Sequence, residues 1–321
     1  LPTFTKMLLI LFSITFSITL YQYSTWETSD ERSIHKSFAL FSGDEPFYLQ
    51  AASTITRHFS LHPDDFYKDQ NIDSKLIFPD IYYAVDSCRL HHTLTAKDGH
   101  CYFLQPGSSI IISPGYLLGG ILGSMITFNI IFALQGVLYY KIISNYTKKN
   151  IAFFGTLLFS LGTIELVYST RMYPELVSGF FLLVIIYLFF KTEKTFFHIS
   201  LIGALLGFMP FFKIPFLIFP FILLPIMTFI LIKNKKFNRL FQLYGMFFIF
   251  LFLFLWLQAV GAPVEGGEPG LGGDYSVIFT DGISGSIHAL LIKSMGGISN
   301  LLFGQSYGLF LFSPLVLLSF F

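Results

Sequence analysis

The residues able to do chemistry are few and stand against an apolar background. Asp44 and Glu45 form an adjacent acidic pair in the run Gly43-Asp44-Glu45-Pro46-Phe47-Tyr48. A carboxylate can take a proton from a hydroxyl, and a guanidinium or ammonium group can hold a phosphate. Arg171 and Lys213 are cations in apolar surroundings, and Glu165 and Glu175 lie close to Arg171 in the chain. Each of these residues also has a plainer use. Asp44 followed by Glu45 and Pro46 reads as a helix start, capped by Asp44 and favoured by the helix dipole. Glu175 after Pro174 reads as a first-turn acid in the same way. Arg171 and Lys213 can snorkel to lipid headgroups, and Glu165, one turn before Tyr168, can pair with Arg171.

Metal and redox chemistry have weaker signals. His58 and His62 have the spacing of a helical zinc pair, with His91, His92 and His100 further along. No Glu lies between the first two, and Pro63 breaks a helix directly after His62, which argues against zinc. Cys88 and Cys101 are the only cysteines. On an oxidising side they form either a disulfide or two free thiols, because their separation cannot be read from spacing. There is no phosphate-binding Gly-Lys-Ser/Thr loop, and the glycine-rich run 266–273 lacks the strand and helix of a dinucleotide site.

The elements that must position these residues are set by composition. Of 321 residues, 54% are hydrophobic and 12% charged, against roughly 25% charged in soluble domains, and the mean hydropathy is +0.66. An ordinary soluble enzyme and a disordered chain are excluded, and a net charge of +1 argues against nucleic-acid binding. The bilayer is the expected partner. Apolar blocks comparable to the ~20 residues of a crossing helix run over 7–23, 121–143, 151–168, 174–190, 196–212, 214–232 and 241–260. A last block opens at 308 and stops at 321.

The expected fold is therefore an all-α polytopic membrane protein, one membrane domain over 1–321 with about eight transmembrane helices, the last cut short. Two long loops hold most polar residues, 24–108 and 261–307. The first is too long to be structureless and predicts a surface helix over 46–59, with Tyr48, Ala51, Ala52 and Ile55 on one face. Residues 108–120 are apolar but broken by Pro114, Gly115, Gly119 and Gly120, which predicts a re-entrant or interfacial piece before the second span. No small-residue cleavage site follows the first span, so it reads as a retained anchor. A first residue of Leu and an end inside an apolar run lead us to expect a longer natural protein.

Charge bias orients the chain. With the N-terminus cytoplasmic, the inner segments carry Lys6, Lys141, Lys148, Lys149, Lys191, Lys194, Lys233, Lys235, Lys236 and Arg239, and of the acids only Glu193. The sequon Asn145-Tyr146-Thr147 then lies inside and reads as a chance match. Asp44, Arg171 and Lys213 all fall at the outer ends of spans, although none was used to set the orientation.

The motif Asp44-Glu45-x-x-Tyr48 after a first transmembrane helix resembles the opening motif of the GT-C superfamily of membrane glycosyltransferases, in particular the protein O-mannosyltransferase and lipid A aminoarabinose transferase branch. Gln105-Pro106-Gly107-Ser108-Ser109-Ile110 with Ser113-Pro114-Gly115-Tyr116-Leu117-Leu118-Gly119-Gly120 is similar to the Pro-Gly segment closing the first outer loop of bacterial members. Tyr173-Pro174-Glu175 resembles another recurring element. Phe303-Gly304-Gln305-Ser306-Tyr307-Gly308-Leu309 with Ser313-Pro314 is similar to a segment of bacterial relatives. Phe47 stands where members often carry a basic residue, and the soluble C-terminal domain of many members is not in this sequence.

The resemblance implies a GT-C-like bundle in a bacterial cytoplasmic membrane, its active site on the outer face. It implies inverting transfer of a sugar from a polyprenyl-phosphate donor to an unidentified extracytoplasmic acceptor. Asp44 matches the family's base, with Glu45 second. Arg171 and Lys213 would hold the donor phosphate, supported by Tyr48 and Glu175. A divalent cation such as Mg or Mn, held by Asp44, Asp64 or Asp65, suits the donor phosphate. The rival from another class is a transporter or lipid flippase, whose folds place ionisable groups near the midplane on broken helices. Here the spans are nearly free of charge apart from Glu165, and no internal repeat is visible. A non-catalytic membrane scaffold is a third possibility, with no evident use for an exposed acidic pair.

Overall fold

The computed structural model describes residues 2–27, 45–61, 93–95, 101–103, 105–191 and 195–260. Asp44, Asp64, Asp65, Cys88, most of both outer loops and the span expected from 308 lie outside the described residues. What is described is helical, apart from one antiparallel pair, β1 (Thr93–Thr95) and β2 (Cys101–Phe103), which sets Thr95 opposite Cys101.

Nine helices are described: α1 (Thr3–Glu27), α2 (Glu45–His58), α3 (Gly107–Ile143), α4 (Lys149–Gly162), α5 (Ile164–Ser169), α6 (Pro174–Phe190), α7 (Phe196–Phe212), α8 (Ile218–Lys233) and α9 (Phe237–Val260). A 3-10 turn over Ile214–Leu217 leads into α8. Four candidate spans are long and apolar enough to cross a bilayer: Thr3–Thr25, Gly107–Ile143, Ile214–Lys233 and Phe237–Leu257. At 17 residues each, α6 and α7 rise about 26 Å, slightly short of the ~30 Å hydrocarbon core. The chain is thus a helical integral membrane protein, with four full-length crossings among the described residues where apolar runs predict seven complete ones. Many large apolar side chains face outward, among them Phe154, Phe221, Phe229, Phe241 and Phe252, as a lipid-facing surface requires.

The expected third span over 151–168 is corrected: it is two helices. α4 stops at Gly162, Thr163 is extended (φ −119°, ψ 175°), and α5 restarts at Ile164. The Thr163 hydroxyl accepts the Glu165 N–H at 3.4 Å and so caps the new helix. Hydropathy does not register this break, because apolar residues continue on both sides of it.

The stretch expected as a re-entrant or interfacial piece before the second span is the first half of α3. The helix breaks at Gly119 and Gly120, the latter at φ 56°, a left-handed conformation suited to glycine. Beyond the turn the chain doubles back, bringing Gly123 into backbone contact with Gly115. The helix then continues from Ile121 to Ile143.

Two cores result. One gathers Met7, Leu11, Leu49, Ile112, Phe128, Phe132 and Met172 from α1, α2, α3 and the turn before α6. The other gathers Ile185, Ile202, Leu206, Met227 and Leu243 from α6 to α9. α7 and α9 touch along Gly203 and Gly207, where any side chain would strike the carbonyls of Leu243 and Phe247.

Candidate functional site

Helix α2 begins at the acidic pair. Every residue from Tyr48 to Thr54 is buried, the polar Gln50, Ser53 and Thr54 included, while Ile55 is only partly so. The one-sided surface helix expected from periodicity is corrected to a helix enclosed on all sides over that stretch. This anchors α2 on the first half of α3. The start of α3 meets the end of α7, because Gly107 lies against the Phe211 carbonyl. Lys213 follows directly and ends α7 in extended geometry.

Around the turn from Thr170 to Glu175, four candidate residues come together. Glu45 is 1% exposed. Its Oε1 accepts the Met172 backbone N–H at 2.7 Å, and its Oε2 lies 3.7 Å from Arg171 Nη1. Lys213 Nζ donates to Glu175 Oε1 at 2.7 Å. Glu175 stands in the first turn of α6 behind Pro174, and the rings of Tyr168 and Tyr173 lie 5.6 Å apart beside the turn. Tyr48 is buried one turn after Glu45 along α2.

Both cations therefore have carboxylate partners, and an anionic ligand would share them rather than meet bare charge. The two pairs differ. Glu45–Arg171 is built on a fully buried acid, whereas the side chains of Lys213 and Glu175 are 28% and 33% exposed. Glu45 is turned inward, toward Arg171 and Met172, in the manner of a positioning group. Asp44, one residue earlier, lies outside the described residues, as do Asp64 and Asp65. Among the described residues no group of three or more His, Cys, Asp or Glu converges.

Glu165 does not pair with Arg171, contrary to the expectation from sequence. Its Oε1 accepts from Gln135 Nε2 at 2.9 Å and from Tyr139 Oη at 2.8 Å, both on the crossing half of α3. Asn129, on the same half, donates to Thr19 Oγ1 at 3.1 Å and to the Ser169 carbonyl at 2.8 Å, tying α1, α3 and α5 together. None of Asn129, Gln135 and Tyr139 was singled out from sequence. Their signal was there, since Gln135 and Tyr139 are spaced i, i+4 on one helix face inside an apolar span.

Two recesses adjoin these elements. One, of about 220 Å³, lies where Thr56 and Arg57 of α2 face Tyr116 and the Gly119–Gly120 break. The other, of about 840 Å³, is an open, almost wholly apolar trough along α4 from Asn150 to Gly162. It shares no residue with the charged cluster. No protein-family model, curated protein or solved structure matches the chain.

Proposed function

We propose that the chain is a membrane glycosyltransferase of the GT-C kind. In this reading it transfers a sugar from a polyprenyl-phosphate donor to an acceptor on the outer face of a bacterial cytoplasmic membrane. The observation that supports the reading best is the meeting of Glu45 with Arg171 and Met172. Glu45 was picked out in the acidic motif and Arg171 as a cation at the outer end of a span, far apart in sequence, and the two meet at the turn before α6.

The roles follow from the geometry. Arg171, oriented by Glu45, and Lys213, oriented by Glu175, supply the positive side for a phosphate leaving group. Asp44 takes the proton of the attacking acceptor hydroxyl. Inversion needs that attack to come from the face opposite the departing phosphate. In this reading Asp44 keeps the base role it has by resemblance, and Glu45, turned inward to Arg171 and the Met172 N–H, holds the cation.

The test is Asp44→Asn in the intact chain, assayed for sugar transfer in membranes together with the amount of folded protein. Transfer is expected to vanish at an unchanged protein level. Full activity in that variant removes Asp44 from the chemistry. Orientation is checked separately: single cysteines at Asn150 and Phe59, in a chain with Cys88 and Cys101 replaced by Ser, should label from opposite sides of the membrane.

A second reading, a transporter or lipid flippase, is favoured by one observation. Glu165 is a partly buried carboxylate at a helix break, the arrangement that transporters use for their ion sites. Loss of substrate uptake with intact glycan profiles in a deletion strain would select it over glycosyl transfer.

A further inference from the structure

Contacts fix the depth of the α4–α5 break. Asn129 joins Thr19 and Ser169 at one level. Gly136 lies against Leu11 and Ser160 at another. Leu11 and Thr19 stand about 12 Å apart along α1, on either side of its centre. Glu165 falls between Ser160 and Ser169 in the chain and bonds Gln135, next to Gly136, so its carboxylate lies level with the interior of α1 rather than with either of its ends. Ionisable groups at that depth are costly to keep and commonly functional.

The surroundings of Glu165 are rich in acceptors. One oxygen, Oε1, is taken up by Gln135 and Tyr139. The other, Oε2, and Gln135 Oε1 have no hydrogen-bond partner, although the Gln135 side chain is aimed at the carboxylate and only 2% exposed. The break adds more. The Glu165 N–H turns to Thr163 Oγ1 and the Leu166 N–H to the Thr163 carbonyl. The carbonyls of Leu161 and Gly162 therefore lose the donors that a continuous helix would supply. The negative end of the α4 dipole falls at the same place. Glu165 forms no ion pair with a described residue.

A carboxylate, an amide oxygen and freed helix-end carbonyls are all acceptors, and a cation is a guest that such a set suits. Small hard cations take oxygen ligands of these kinds, and discontinuous membrane helices gather them around monovalent ions. We infer that the α4–α5 break, with Glu165 and Gln135, binds a sodium ion inside the membrane-spanning bundle. The ion balances the buried carboxylate and gives the two unpartnered oxygens a ligand role. The site shares no residue with the Glu45–Arg171 cluster and stands whether or not the chain transfers sugar.

The experiment is equilibrium binding of radioactive sodium to the purified full chain in lipid nanodiscs, with choline as the background cation. Saturable binding, displaced by unlabelled sodium and not by choline, is expected. Glu165→Gln should weaken it at least about ten-fold, and Gln135→Leu, which keeps the carboxylate, should weaken it by a smaller factor. No saturable binding by the parent chain overturns the proposal, and so does parent-like affinity in Glu165→Gln. If Glu165→Gln does not give monodisperse protein, Gln135→Leu decides: weakened binding supports the site and parent-like affinity overturns it.

Discussion

In the part of the bundle formed by α7, α8 and α9, the helices lie close along glycines and aromatic rings, and none of the buried polar residues falls there. In the part formed by α1 to α6, helices break at Gly119–Gly120 and at Thr163. There the interior holds Thr15, Thr19, Glu45, Asn129, Gln135, Thr156, Ser160 and Ser178. Both parts are drawn from the same apolar composition. In the first part, close approach of continuous helices supplies stability, because lipid offers no hydrophobic gain for helix association. In the second, polar groups satisfy one another across broken helices, and charge can be stored there. The buried polar groups gather in the second part, and close helix contact over glycines in the first.

The largest expected effect breaks the rigid part. Gly207→Leu places a side chain against the Phe247 carbonyl, and backbone cannot give way as a flexible side chain would. Overpacking costs about 1–3 kcal/mol and more where backbone blocks the added side chain, so little monodisperse protein should elute in size-exclusion chromatography. Gly155→Leu is the control, since a side chain there meets nothing within 4 Å, and it should elute as the parent does.

The next effect strikes the polar part at Arg171. Arg171→Ala takes the guanidinium away from the carboxylate of Glu45, which is 1% exposed. Breaking a buried pair on one side costs about 3 kcal/mol, which should lower the thermal unfolding midpoint in detergent clearly. Glu45→Gln with Arg171→Ala should recover part of that loss, because the buried charge is then gone. An Arg171→Ala protein as stable as the parent would mean that the pair has no structural weight.

Asn129→Ala should follow. It deletes the side-chain links to Thr19 and Ser169 that tie three helices together. Interhelical hydrogen bonds in membranes contribute about 0.6 kcal/mol each, so a loss of about 1 kcal/mol is expected in the same thermal assay. A loss as large as that of Arg171→Ala would show that the polar part depends on its hydrogen bonds more than on its charge.

Much of this contrast was legible in sequence, and the rest was not for identifiable reasons. The apolar runs at 174–190 and 196–212 coincide with α6 and α7, because in a membrane the length of the run nearly dictates the helix. The turn at Gly119–Gly120 was marked by its glycines. The break at Thr163 was hidden, because its cause lies partly on another helix: the Glu165 carboxylate finds donors in Gln135 and Tyr139, 30 and 26 residues away. Arg171 stood out as a cation in apolar surroundings and Glu45 as half of an acidic pair, but their pairing spans a large separation along the chain that no local pattern encodes. Spacing identified the charges, and tertiary contact chose their partners.

The smallest expected effect separates the two ion pairs at the candidate site. Lys213 and Glu175 are joined at 2.7 Å, a better hydrogen-bond distance than the 3.7 Å between Arg171 and Glu45. By distance alone the lysine pair should be the stronger. Exposure argues the reverse, since both its side chains keep about a third of their surface and water can replace either partner. Pairs of that kind contribute at most about 1 kcal/mol. Lys213→Ala should therefore shift the unfolding midpoint far less than Arg171→Ala, and a double-mutant cycle with Glu175→Gln should give a coupling of about 0.5 kcal/mol. A coupling as large as that of Glu45 with Arg171 would place Lys213 and Glu175 in a dry environment. The same measurement bears on the donor site, because a lysine that stability can spare is free to exchange Glu175 for a phosphate, whereas one locked in a buried pair is not.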